Sequence, residues 1–181
     1  MLGSLPQSQG SIQSGGGVTF HDTGSTSAGF LGIFHNVPLL AAIIAFAVAQ
    51  SAKVFTHYYE TSMWDFSRLV GSGGMPSSHT AFVVGLTAAV GVRDGTASSV
   101  FAMCVIFSLI VMYDATGVRQ HAGRQALVLN IILSEMPADH PAQECGRLRD
   151  SLGHTPRQVA VGVVLGVAVG WLVQGVALTI R

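Results

Sequence analysis

From Val37 to Phe55 the chain is almost wholly apolar, broken chiefly by Gln50, Ser51 and Lys53. Wound as a helix at about 1.5 Å per residue, a stretch of that length reaches across a hydrocarbon core of about 30 Å. Comparable runs cover Pro76 to Val92, Ala97 to Met112 and Arg157 to Ile180. Composition agrees with a lipid setting: 49% of the residues are hydrophobic and only 10% are charged. A soluble domain carries about 25% charged residues. So few charges cannot coat a globule, and much of this surface must meet lipid. The expected fold class is therefore all-α, a polytopic membrane helix bundle of about four spans. A shorter segment over residues 122–134 is too brief and too polar to cross, and reads as one interfacial or half-inserted helix.

Residues 1–30 form a Gly/Ser-rich N-terminal segment with hardly a large apolar side chain, expected to be disordered. It lacks the basic and apolar regions of a signal peptide. Residues 31–181 carry the helical membrane domain. Behind the first run come His57, Tyr58, Tyr59, Trp64 and Phe66, an aromatic belt suited to the membrane surface. Residues 135–153 are polar and read as a solvated loop. Gly162, Gly166 and Gly170 recur every fourth position and put a smooth strip on one face of the last run, fit for close helix packing. The net charge is zero and no Lys/Arg run exists, which excludes nucleic acid as the expected partner and leaves membrane lipids.

Four spans alternate in direction, so the start of the second, the end of the third and the start of the fourth share one side. That side receives Lys53, Arg68, Arg119, Arg124, Arg147, Arg149 and Arg157, against Arg93 and Arg181 on the other. The asymmetry assigns the richer side to cytoplasm, matrix or stroma. The same side carries Gly73-Gly74-Met75-Pro76-Ser77-Ser78-His79-Thr80. Two glycines let a backbone close on a ligand, and Pro76 fits the first turn of a helix. A helix start with unpaired N–H groups and the positive end of the macrodipole attracts an oxyanion such as phosphate. Lys53 could equally be a snorkelling anchor, and Asp114 with Arg119 a structural ion pair. A second histidine, His154, stands just before the last run in Leu152-Gly153-His154-Thr155-Pro156. Two histidines flanked by cations suit phosphoryl transfer: one attacks phosphorus, the other protonates the leaving oxygen, and cations hold the remaining oxygens. The other histidines have no ligand-like spacing, so no metal site and no cofactor is expected.

These stretches carry a resemblance. Gly73 to Thr80, then Met112-Tyr113-Asp114-Ala115 with Gly117-Val118-Arg119, then Leu152 to Pro156 with Gln158-Val159 and Gly162, resemble the divergent membrane branch of the type 2 phosphatidic acid phosphatase superfamily. Proteins of this branch are described as related to acid phosphatases and vanadium-dependent haloperoxidases, and the resemblance covers about residues 40–175. It implies His154 as nucleophile and His79 as general acid. It implies Lys53, Arg68, Ser77, Ser78, Arg149 and Arg119 as phosphate ligands. Three departures stand out: Lys53 and Arg68 are more widely spaced than usual, Arg149 sits one residue closer to His154, and Gln158 replaces the acid that orients the nucleophile. Asp114 could supply that carboxylate from the third span.

The function so implied is an integral membrane lipid phosphate phosphatase that hydrolyses a phosphomonoester or pyrophosphate through a phosphohistidine, without metal. The wide spacing of Lys53 and Arg68, Gln158 and the small number of spans favour an alternative. On that reading the chain is a catalytically inactive membrane module, a structural or assembly subunit of a larger membrane complex or a homo-oligomer.

Overall fold

A computed structural model describes residues 30–69 and 73–180. The N-terminal segment expected to be disordered lies outside the described residues. Among the described residues every regular element is helical. Five α-helices follow in order: α1 (Val37–Thr61), α2 (Ser78–Asp94), α3 (Ser99–Thr116), α4 (Val118–Glu135) and α5 (Pro156–Ile180). Three stretches are long and apolar enough to cross a membrane: α1, the continuous Ser99–Glu135 rod of α3 and α4, and α5. The chain is a membrane protein with an all-α bundle.

Helix α2 is the hub. Its 17 residues give a length of about 26 Å, short of the other spans, and it packs against α1, α3 and α5. Small side chains make both main seams. Toward α1, Ala41, Ala42, Ala45 and Ala49 are completely buried, and a Cβ on Gly85 would lie 2.9 Å from that of Ala45. Toward α5, Cβ atoms on Gly162, Gly166 and Gly170 would lie 2.7, 2.8 and 2.4 Å from the backbone oxygens of Ser77, Ala81 and Gly85. In lipid, where apolar side chains gain nothing by leaving the acyl chains, such backbone-to-backbone approach is what holds helices together. The expected glycine strip therefore faces α2 inside this chain. Between α2 and α3 the Thr87 and Ser108 hydroxyls pair at 2.9 Å. The rest of α3 is apolar all round and leaves Met103, Ile106, Phe107 and Ile110 exposed, the pattern of a helix with lipid on most sides.

Three boundaries differ from expectation. Helix α1 runs on past Phe55 to Thr61, because no Gly or Pro interrupts it until Ser62 turns left-handed at φ 57°. Pro76 does not open α2. The Met75–Pro76 peptide is cis, Ser77 is the N-cap and the helix begins at Ser78. The short segment expected over 122–134 is an 18-residue helix that follows α3 across the single residue Gly117. Its Asn130 side chain donates to the Leu148 oxygen and accepts from the Leu148 N–H, both at 2.9 Å. That pins the polar loop along α4 and leads it back to the start of α5.

Candidate functional site

The residues singled out in the sequence converge at one end of the bundle. Helix α1 brings Lys53, whose side chain does not snorkel outward: it is 3% exposed, and its ammonium donates to the Ser78 hydroxyl at 3.2 Å. Among the described residues that is one partner for three donors, in a place water scarcely reaches. Ser78 itself is the first residue of α2 and is buried. The Ser77 N-cap side chain leaves the N–H groups of the first turn uncapped, and its hydroxyl instead accepts from that of Thr80 at 2.9 Å. An uncapped, buried helix start beside a buried ammonium is a strongly electropositive spot.

The glycine loop before it is closed down by side chains of α1. Thr56 donates to the Met75 oxygen at 2.7 Å, and Gln50 donates to the Leu69 oxygen at 2.8 Å. Gly73 and Gly74 take φ of +104° and +81°, where a side chain would be strained. His79 follows on the exposed edge of α2, its ring edge-on to Phe46 with centroids 6.1 Å apart.

His154 reaches the same place from the loop before α5. Its backbone N–H donates to the Ala115 oxygen at 2.9 Å, which ties the loop to the end of α3. The residue is 8% exposed, and its Nε2 is buried with no hydrogen-bond partner among the described residues. Burial, with Lys53, His79 and Arg119 adding repulsion, pushes its pKa down to about 4. At neutral pH the ring is therefore uncharged and holds a lone pair for an electrophile.

A cavity of about 150 Å³ is lined by Ser77, His79, Asp114, Arg119 and His154, with Gly73, Val111 and the Leu152–Gly153 turn completing it. The two histidines, the α2 start and the Arg119 guanidinium thus share one space. Asp114 lines it too; its carboxylate accepts from Arg119 Nε at 2.5 Å, and among the described residues no hydrogen bond joins it to the His154 ring. Gln158 is also occupied elsewhere. Its side-chain oxygen accepts from the Thr155 N–H at 2.9 Å, while its own N–H donates to the Thr155 hydroxyl at 3.4 Å. This reciprocal pair caps α5. Arg149 is exposed on the loop and does not line the cavity. Arg68 falls in the turn Phe66–Leu69, and its side chain lies outside the described residues. Among the described residues no three or more His, Cys, Asp or Glu side chains gather as a metal-holding group.

Sequence reasoning missed a second, polar cavity of about 270 Å³ behind His154, lined by Gly74, Gln120, Ser151, Thr155 and Gln158. Its only legible signal was Gly153. At φ +83° this residue lets the loop press on α4, and a Cβ there would lie 2.5 Å from the Gln120 nitrogen.

The family profile described as the Divergent PAP2 family matches residues 34–169, from just before α1 to well into α5. This chain belongs to that family. It is 37% identical over 142 residues to a Bacillus subtilis (strain 168) protein named as the uncharacterized membrane protein YuiD, covering 73% of this chain and 90% of the relative. No solved structure matches the chain.

Proposed function

We propose that this Divergent PAP2 family protein is a membrane phosphatase acting on a lipid phosphomonoester or pyrophosphate. The observation that carries the reading is the buried Nε2 of His154, unpartnered among the described residues, in a cavity shared with His79 and the uncapped start of α2. Nε2 would attack phosphorus with its lone pair. The bond to the leaving oxygen would break as His79 gives that oxygen a proton, leaving phosphate on His154. Water would then attack the phosphohistidine and pass a proton to His79, and the P–N bond would break with its electrons returning to His154. Lys53, Ser77, Ser78 and the first N–H groups of α2 would hold the phosphoryl oxygens, with Arg119 across the cavity. Protein groups alone meet the charge in this scheme, so turnover is expected to survive EDTA. The cation-rich end that holds the site would face cytoplasm, matrix or stroma.

A rival reading, an inactive module of a membrane complex, draws support from Gln158 and Asp114. Both are engaged away from His154, and among the described residues no carboxylate touches that ring. Without one, a developing imidazolium is less stabilised. Phosphate release by detergent-purified protein from a panel of lipid phosphates, with EDTA present, separates the two. Release by the wild type and its loss in His154→Ala and His79→Ala is the expected result. No release from any substrate, or equal release from all three proteins, would favour the module.

A further inference from the structure

The two cavities share the wall Gly73, Leu152, Gly153 and His154 but differ in chemistry. The smaller is bounded by Val111 and Ala115 of α3, the helix that leaves most of its surface to lipid. The larger is bounded by Gly74, Gln120, Ser151, Thr155 and Gln158, all at helix ends or in loops, and Leu152 is its one large apolar side chain. Between them the wall is thin. Gly73 and Gly153 carry no side chain, and both adopt positive φ that only glycine takes without strain. His154 belongs to both cavities and stands at the join.

We infer that the larger cavity is an aqueous port through which inorganic phosphate leaves and enters, separate from the lipid-side cavity that admits the substrate. This rests on the phosphatase reading. The products of that reaction differ as the cavities do. The lipid alcohol is apolar and returns to the bilayer past Val111, whereas a phosphate anion cannot cross that side without losing its hydration. At ~30 Å³ per water in the liquid, about 270 Å³ is space for phosphate with part of its water shell. Thr155 and Gln158 in its wall are already paired with each other, and among the described residues no charged side chain lines it to trap an anion.

Filling one cavity at a time tests this. Ser151→Trp, and Gln120→Trp as a second variant from the α4 side, obstruct the port; Val111→Trp obstructs the lipid side. Rapid-quench measurement would follow lipid alcohol and phosphate separately in detergent-purified protein. The port variants are expected to release about one equivalent of alcohol at the wild-type rate and then turn over about tenfold or more slowly. Inhibition by added inorganic phosphate should set in more slowly in them as well. Val111→Trp should slow the alcohol burst and leave the onset of phosphate inhibition unchanged. Wild-type steady state in both port variants, or the same pattern from Val111→Trp, would overturn the port while leaving the phosphatase standing. A wild type that releases neither product would overturn both.

Discussion

Gly162 links the fold to the site, and replacing it with Ala is expected to damage both. A Cβ there would lie 2.7 Å from the backbone oxygen of Ser77 and 3.1 Å from Thr80 Cβ. Neither neighbour can swing aside: one is backbone of the α2 N-cap and the other is a buried helical residue. The start of α2 must therefore move away from α5 by several tenths of an ångström. Two energies oppose each other. Ala gains about 1 kcal/mol over Gly in helix propensity, and overpacking a close seam costs about 1–3 kcal/mol. The net loss is then up to about 2 kcal/mol, at about 2–4 °C of Tm per kcal/mol for a chain of this length. The rate should suffer more, because misplacing reacting groups by about 1 Å costs about 100-fold and Ser77 adjoins the phosphoryl site. Gly175→Ala on the same helix meets nothing within 4 Å and is the matched control. Thermal unfolding in detergent and phosphate release, measured on both, decide the matter. A Gly162→Ala protein that melts and turns over like wild type would refute the reasoning, and so would equal losses in Gly175→Ala.

Lys53→Met should raise Tm while abolishing phosphate release, since it removes a buried ammonium that has one hydrogen bond among the described residues and leaves an apolar chain of similar length. A fall in both would show that Lys53 is structural. Gln158→Ala removes one arm of the α5 capping pair and should cost about 1 kcal/mol by thermal unfolding. His154 sets a pH dependence. Its folded pKa of about 4 lies below its ordinary value of 6.5, so the unfolded chain binds more protons between these values. Stability should be flat in this term above pH 6.5, fall as pH drops through the window, and level off below about 4. Tm against pH should show that loss in wild type and lack it in His154→Gln; parallel curves would sink the assignment.

The end of the bundle that holds the site was legible because chemistry and topology pointed to it together. Alternating spans were expected to put Ser78, Asp114 and His154 on one side, and the three lie at one end of the bundle. The direction of Lys53 was not legible. Near the end of an apolar run it reads equally as an interfacial anchor, and only the extension of α1 to Thr61 and the packing of α2 against it bury the side chain. The capping role of Gln158 was not legible either. The resemblance sets it where an acid would orient the nucleophile, but Thr155 lies three positions before it, the spacing of a capping pair. Pro76 fits a first helical turn by propensity, yet the buried Ser77, hydrogen-bonded to the Gln158 oxygen at 3.1 Å, moves the helix start beyond it. The polar cavity behind His154 is made by loop returning to loop, which no local periodicity records.

The central claim is that His154 takes the phosphoryl group. Quenching in alkaline detergent during turnover of a lipid phosphate, followed by peptide mass analysis kept at alkaline pH, tests it most directly. The expected result is a single acid-labile phosphoryl adduct on His154 that builds up within one turnover and is absent from His154→Gln. Turnover without any adduct, or an adduct on another residue, would contradict it.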